Sequence, residues 1–139
     1  MKITIKNLQK KVPIYPARIK RSILRALKDE GLKKQGEITV SFVSDRLIAK
    51  LNFKYLKKKQ ATDVLAFDLT DRWKSKNMFA DIIISVDTAL RNARFYKTSA
   101  DYELKLYSIH GLLHLLGYDD HSLKDSLLMR KKEFRYAHP

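Results

Sequence analysis

Residues 106–121 read Leu106-Tyr-Ser-Ile-His110-Gly-Leu-Leu-His114-Leu-Leu-Gly117-Tyr-Asp-Asp120-His121. Leu106, Ile109, Leu112, Leu113 and Leu116 fall at helical spacing, and so many neighbours are Leu that the helix is expected to be buried on most sides. Gly117 stops it, since glycine takes the left-handed turn at no steric cost. Four helical residues span about 400°, so His110 and His114 differ by ~40° in direction and ~6 Å in height. An unsatisfied buried donor or acceptor costs about 1–3 kcal/mol, so two imidazoles on one stripe of such a helix need partners. A single metal ion satisfies both. The turn at Gly117 can return Asp120 or His121 to the same point, and three protein ligands leave a fourth position for water, as in catalytic zinc sites. The competing explanation is a hydrogen-bonded core histidine. A pair at this spacing, in a chain with only four histidines, favours the metal.

The residue after His110 limits the chemistry. In H-E-x-x-H peptidases that position is a Glu acting as general base; here it is Gly111. A peptidase of that type is therefore disfavoured. Water on the metal is the expected nucleophile, with no protein base assigned, and its proton passes to another group or to a substrate phosphate.

Moving outward, Thr98-Ser-Ala-Asp101 has the spacing of a capping box for the histidine helix, and Ser122-Leu-Lys-Asp125 repeats it before a last helix to about Tyr136. Toward the N-terminus, Ile3–Ile5 reads as a strand. Pro16 opens a helix with Ile19, Ile23, Ala26 and Leu27 inward and Gly31 as its stop. Residues 37–43 alternate as a half-buried strand, and Ser44 caps a helix running through Leu47, Leu51 and Tyr55 toward Lys57. Val64–Phe67 and Phe79–Ile84 read as strands, and Asp87–Tyr96 as a helix. The order predicts an α+β fold: a small mixed four-stranded sheet with helices packed on it, and the metal site on a buried helix of the C-terminal half. No repeat or linker divides the 139 residues, so one domain over 1–139 is expected.

Composition sets the partners. Twenty-nine Lys and Arg face 15 Asp and Glu, a formal charge of +14. So one-sided a charge fits a polyanion, nucleic acid above all, better than a surface ion-pair network. Cysteine is absent, and glycine occurs only at positions 31, 36, 111 and 117, which excludes thiol chemistry, Walker loops and G-x-G-x-x-G turns. No signal-peptide or membrane-spanning run is legible, so a cytoplasmic protein without a membrane partner is expected. Lys57, Lys58, Lys59, Arg91 and Arg94, with Lys97 beside them, are candidate contacts for nucleic-acid phosphates. Trp73, Phe95, Tyr96 and Tyr118 are candidate stacking surfaces for bases, although Phe95 and Tyr118 are expected in the core. Met129 is expected to fill the core against the histidine helix, and His138 to be incidental.

The histidine window resembles the signature H-G-x-L-H-L-x-G-Y-D-H of the bacterial rRNA maturation factor family known as YbeY. Asn52, Tyr55, Lys58, Thr62, Asp63, Val64, Leu65 and Phe67 match its segment N-x-x-Y-R-G-K-D-x-P-T-D-V-L-S-F. Ala80-Asp-Ile-Ile-Ile-Ser85 resembles its G-D-I-x-I-S strand. The resemblance implies a zinc-dependent, single-strand-specific endoribonuclease acting in ribosomal RNA maturation and ribosome quality control. It also implies an α+β fold with one Zn2+ (or another divalent ion) held by three histidines. Three positions depart from the pattern. The third histidine falls on Asp120, with His121 one place later; His110, His114 and Asp120 form a workable set, and His121 is the alternative third ligand. Leu56 stands where the family has Arg, which removes a bidentate phosphate contact that lysines do not reproduce. Ala61 and Ala80 replace Pro and Gly. Two further functions stay open: a non-catalytic RNA-binding ribosome-assembly protein with a structural metal, and a metallohydrolase of another substrate class.

Overall fold

The computed structural model describes residues 1–70 and 76–138; Trp73 lies outside them. The elements follow in the order β1 (Lys2–Asn7), α1 (Pro16–Asp29), β2 (Gly36–Val43), α2 (Asp45–Leu56), β3 (Val64–Asp68), β4 (Met78–Ser85), α3 (Val86–Tyr96), α4 (Ala100–Leu115) and α5 (Leu123–Ala137). This is the expected α+β order. The strands form one sheet in the order β1-β2-β4-β3. β1 pairs in parallel with β2, and β2 with β4, so each pair needs a crossover, while β3 runs antiparallel on the β4 edge.

Strand alternation divides the apolar side chains between two faces. Ile38, Val40 and Phe42 of β2 and Ile82 and Ile84 of β4 enter the main core with residues of α1, α4 and α5. Ile83 and Leu65, on the other face, pack with Ile48 and Leu51 of α2. Helix α4 lies at the centre, against α1, α3, α5, β3 and β4. It buries Leu104, Tyr107, Ser108, Ile109, Gly111, Leu112 and Leu113, hence the near absence of a polar face in its sequence. Met129 of α5 is buried in the main core, as expected.

Ser44 and Ser122 cap their helices as the sequence suggests, accepting from the backbone N–H of Leu47 and Asp125. The cap of α4 differs. Ser99, not Thr98, accepts from the N–H of Tyr102 at 3.0 Å, and the Thr98 hydroxyl bonds to the buried Glu103 carboxylate instead. Two adjacent hydroxyls compete for one cap, and the four-residue spacing does not choose between them.

Glu30, the C-cap of α1, ties that helix to the C-terminal third. Its carboxylate accepts from the hydroxyls of Tyr118 and Tyr136 and from the Lys132 ammonium. Burial opposes its ionisation, but these three donors outweigh burial and hold its pKa at about 2 against an ordinary 4.5. A depressed carboxylate pKa contributes stability that is present above the unfolded value and is lost as pH falls through the folded one. Unfolding of the metal-free protein should therefore show a gap between the wild type and Glu30→Gln, on the order of 2–3 kcal/mol near neutral pH. That gap should close between pH 4.5 and 2. A gap that does not change with pH contradicts this role for the carboxylate.

Candidate metal centre

Helix α4 carries His110 and His114 one turn apart, and Gly111 between them sets how close the helix lies to the sheet. A Cβ on Gly111 would sit 2.9 Å from Ile82 Cγ2 and 3.1 Å from Val64 Cγ2, so only glycine allows this approach. Beyond His114 the helix ends in a Schellman turn. Gly117, at φ +99°, donates its N–H to the His114 carbonyl, and Tyr118 donates to the Leu113 carbonyl. The chain reverses there and brings Asp120 back over the histidines.

The outcome is a tight donor group. One ligating atom from each of His110, His114 and Asp120 lies within 4.8 Å of the other two. The Nε2 atoms of His110 and His114 are 3.0 Å apart, and their rings meet edge to face at 4.6 Å. His121 is not in this group; it is exposed, and its backbone N–H donates to Asp119 Oδ1. Two imidazole nitrogens and a carboxylate are a donor set that zinc and related divalent ions accept.

A fourth side chain shapes the group from outside. Glu133 of α5 contacts His110 Nδ1. With Nδ1–H donated to that carboxylate, the lone pair of Nε2 points at His114 and Asp120, the arrangement by which a carboxylate fixes a ligand tautomer. Burial alone works against a charged His110, but Glu133, Asp63 and Asp120 overcome it and raise its pKa above the ordinary value. Asp63 enters from the start of β3, with Oδ1 accepting from the Val64 N–H. Sequence reasoning assigned no role to Glu133 or Asp63. For Glu133 one signal is legible: it is the sole carboxylate after Asp125, set in the basic run Arg130-Lys-Lys-Glu-Phe-Arg135.

The sequence profile described as Endoribonuclease YbeY matches residues 4–138. The chain belongs to the YbeY family. Among its relatives, Endoribonuclease YbeY of Desulforamulus reducens is 34% identical over 96% of this chain and 93% of the relative. That of Syntrophus aciditrophicus is 38% identical over 96% and 86%. The solution structure of TM1509 from Thermotoga maritima superposes with a TM-score of 0.66 at 28% identity, covering 97% of this chain and 86% of that one. Membership makes the chain a hydrolytic enzyme of the endoribonuclease class, with RNA as its substrate class.

The expected RNA contacts are spread over two elements. Lys57, Lys58 and Lys59 are exposed on the connection from α2 to β3. The buried Asn52 holds that connection through its side-chain amide, which donates to the Gln60 carbonyl at 2.8 Å. Leu56, at the family's Arg position, is exposed at the end of α2. Arg94 is exposed on α3. Arg91 is exposed but occupied: it pairs with Asp45 at 2.6 Å and donates to Thr88 Oγ1, stitching α3 to the start of α2. Phe95 does not pack in the core. It is 79% exposed and stands edge to face with the exposed Tyr96, because the buried side of α3 is made by Val86, Ala89 and Ala93. Tyr118 packs against the core, as expected. His138 lies apart from the centre, with its ring against Phe134 and Tyr102. No helix among the described residues is long and apolar enough to cross a membrane.

Proposed function

We propose that this protein is a divalent-metal-dependent endoribonuclease, specific for single strands, that acts on ribosomal RNA in maturation and quality control. His110, His114 and Asp120 hold one ion, with Zn2+ the favoured identity. The observation that carries the reading is the convergence of these three donors within 4.8 Å on a family framework of endoribonucleases. Among the described residues three donors meet here, a set that suits a catalytic ion better than a structural one because it leaves a position open. His114 and Asp120 are exposed, so a phosphodiester reaches that side without rearrangement of the core.

An ion held there supplies Lewis acidity toward a phosphate oxygen and acidifies a water. The chain's own groups do the rest. Glu133 holds His110 in the ligating tautomer. Lys57, Lys58, Lys59 and Arg94 concentrate a polyanion at the surface, and Arg91 adds charge while it braces α3. Phe95 and Tyr96 offer exposed rings for base stacking. With Leu56 in place of Arg, point charges rather than a bidentate fork meet the phosphates.

Single-stranded RNA and a duplex of the same sequence, incubated with chelated and then zinc-reloaded protein, test the proposal. Cleavage of the single strand is expected to disappear on chelation and return with Zn2+, with the duplex spared. Cleavage that survives chelation, or that treats both substrates alike, overturns it.

A further inference from the structure

We infer that Glu30 is a positioning residue for the metal centre, acting through Tyr118 to fix the turn that carries Asp120. The inference rests on the metal-binding reading of His110, His114 and Asp120. Glu30 lies 88 residues from Tyr118 in the chain, at the end of a helix that contributes no donor to the centre. Its side chain is only 10% exposed. The two carboxylate oxygens divide their work: Oε1 accepts from the Tyr118 hydroxyl, while Oε2 accepts from Tyr136 at 2.5 Å and from Lys132 at 2.9 Å.

Tyr118 is thereby held at several points. Its hydroxyl is on Glu30, the Lys132 ammonium stands 5.0 Å from its ring centre, and its backbone N–H donates to the Leu113 carbonyl at 3.0 Å. Asp119 alone separates it from Asp120. Because Asp120 is exposed, the turn, rather than packing around its own side chain, sets where its carboxylate falls. A ligand on an unanchored turn must be ordered when the ion binds, and that ordering subtracts from affinity. An anchored turn has met the cost in advance. The same short stretch of α5 carries Lys132, Glu133 and Tyr136, so the Glu30 cluster and the carboxylate beside His110 share one rigid element.

The test uses the full chain and Co2+ as the probe, with affinity from competition titration and geometry from visible absorption. Tyr118→Phe is expected to weaken Co2+ binding by about tenfold, the lower end of the range for outer partners of metal ligands, and to shift the absorption bands. Glu30→Gln, a second variant that keeps an acceptor but loses the charge, is expected to act in the same direction. Tyr136→Phe removes a donor from the other oxygen; it should lower the melting temperature and leave Co2+ affinity within about twofold. In an Asp120→Asn background the effect of Tyr118→Phe should vanish, since residues that act through one another are not additive. Wild-type affinity in both Tyr118→Phe and Glu30→Gln overturns the positioning role, as does a tenfold loss that persists without Asp120. Failure of the wild type to bind one Co2+ overturns the metal reading itself, and the inference with it.

Discussion

His114→Ala is expected to lower single-strand cleavage by roughly a thousandfold while the protein stays folded. His114 sits in the last turn of α4 and its side chain is outside the core. Its removal therefore leaves no cavity, and Ala favours the helix. On the proposed metal reading, what is lost is a ligand, and with it the several kcal/mol that an ion contributes to a phosphoryl transition state; at about 1.4 kcal/mol per decade this is about three decades of rate. Circular dichroism, metal content by mass spectrometry and the cleavage rate check the three parts separately. His110→Ala is the instructive contrast. It removes a ligand and also strips the half-buried Glu133 of its partner, so a loss of melting temperature should accompany the loss of metal. A His114→Ala protein that cuts as fast as the wild type would place the nuclease activity elsewhere.

Gly111→Glu is expected to be the most damaging single change to the fold. Even the first atom of a side chain at this position meets Ile82 and Val64, two β-branched residues with little χ1 freedom, and Ile82 is fully buried. The clash costs about 1–3 kcal/mol as overpacking, and a carboxylate forced into an apolar contact adds several more. The sum reaches a large part of the stability of an ordinary domain. Little folded protein is expected, and any that forms should melt far below the wild type. Gly111→Ala separates the terms: better helix propensity, worth about 1 kcal/mol, competes with the clash alone, and a net loss is expected. A Glu variant with the wild-type melting temperature would contradict the close approach of α4 to the sheet. The same contact leaves no room for the peptidase Glu at this position, which lies against Val64 of β3 and Ile82 of β4.

The elements themselves were legible because each carries a local signal: alternation in β2, Pro16 at the start of α1, Ser44 and Ser122 as caps, Gly117 as a stop. Local ambiguity caused the misplaced cap at Thr98, where two hydroxyls adjoin. Phe95 departs from the expectation that an aromatic at helical spacing belongs to the core, because the fully buried side of α3 is made by Val86, Ala89 and Ala93. Strand order was not readable, since pairing depends on which faces α1 and α4 cover. His110 and His114 stood out through their spacing, and Asp120 through the family register. Glu133, Asp63 and Glu30 reach the centre or its supporting turn from α5, β3 and α1, and no spacing in the chain announces contacts between elements so far apart.

Anomalous diffraction from crystals of the zinc-loaded protein, collected at the zinc edge, tests the central claim most directly. One peak is predicted, within bonding distance of His110 Nε2, His114 Nε2 and an Asp120 carboxylate oxygen, with no fourth protein ligand. A peak bound by His121 in place of Asp120, a site closed by a fourth side chain, or no zinc between the two histidines would contradict it.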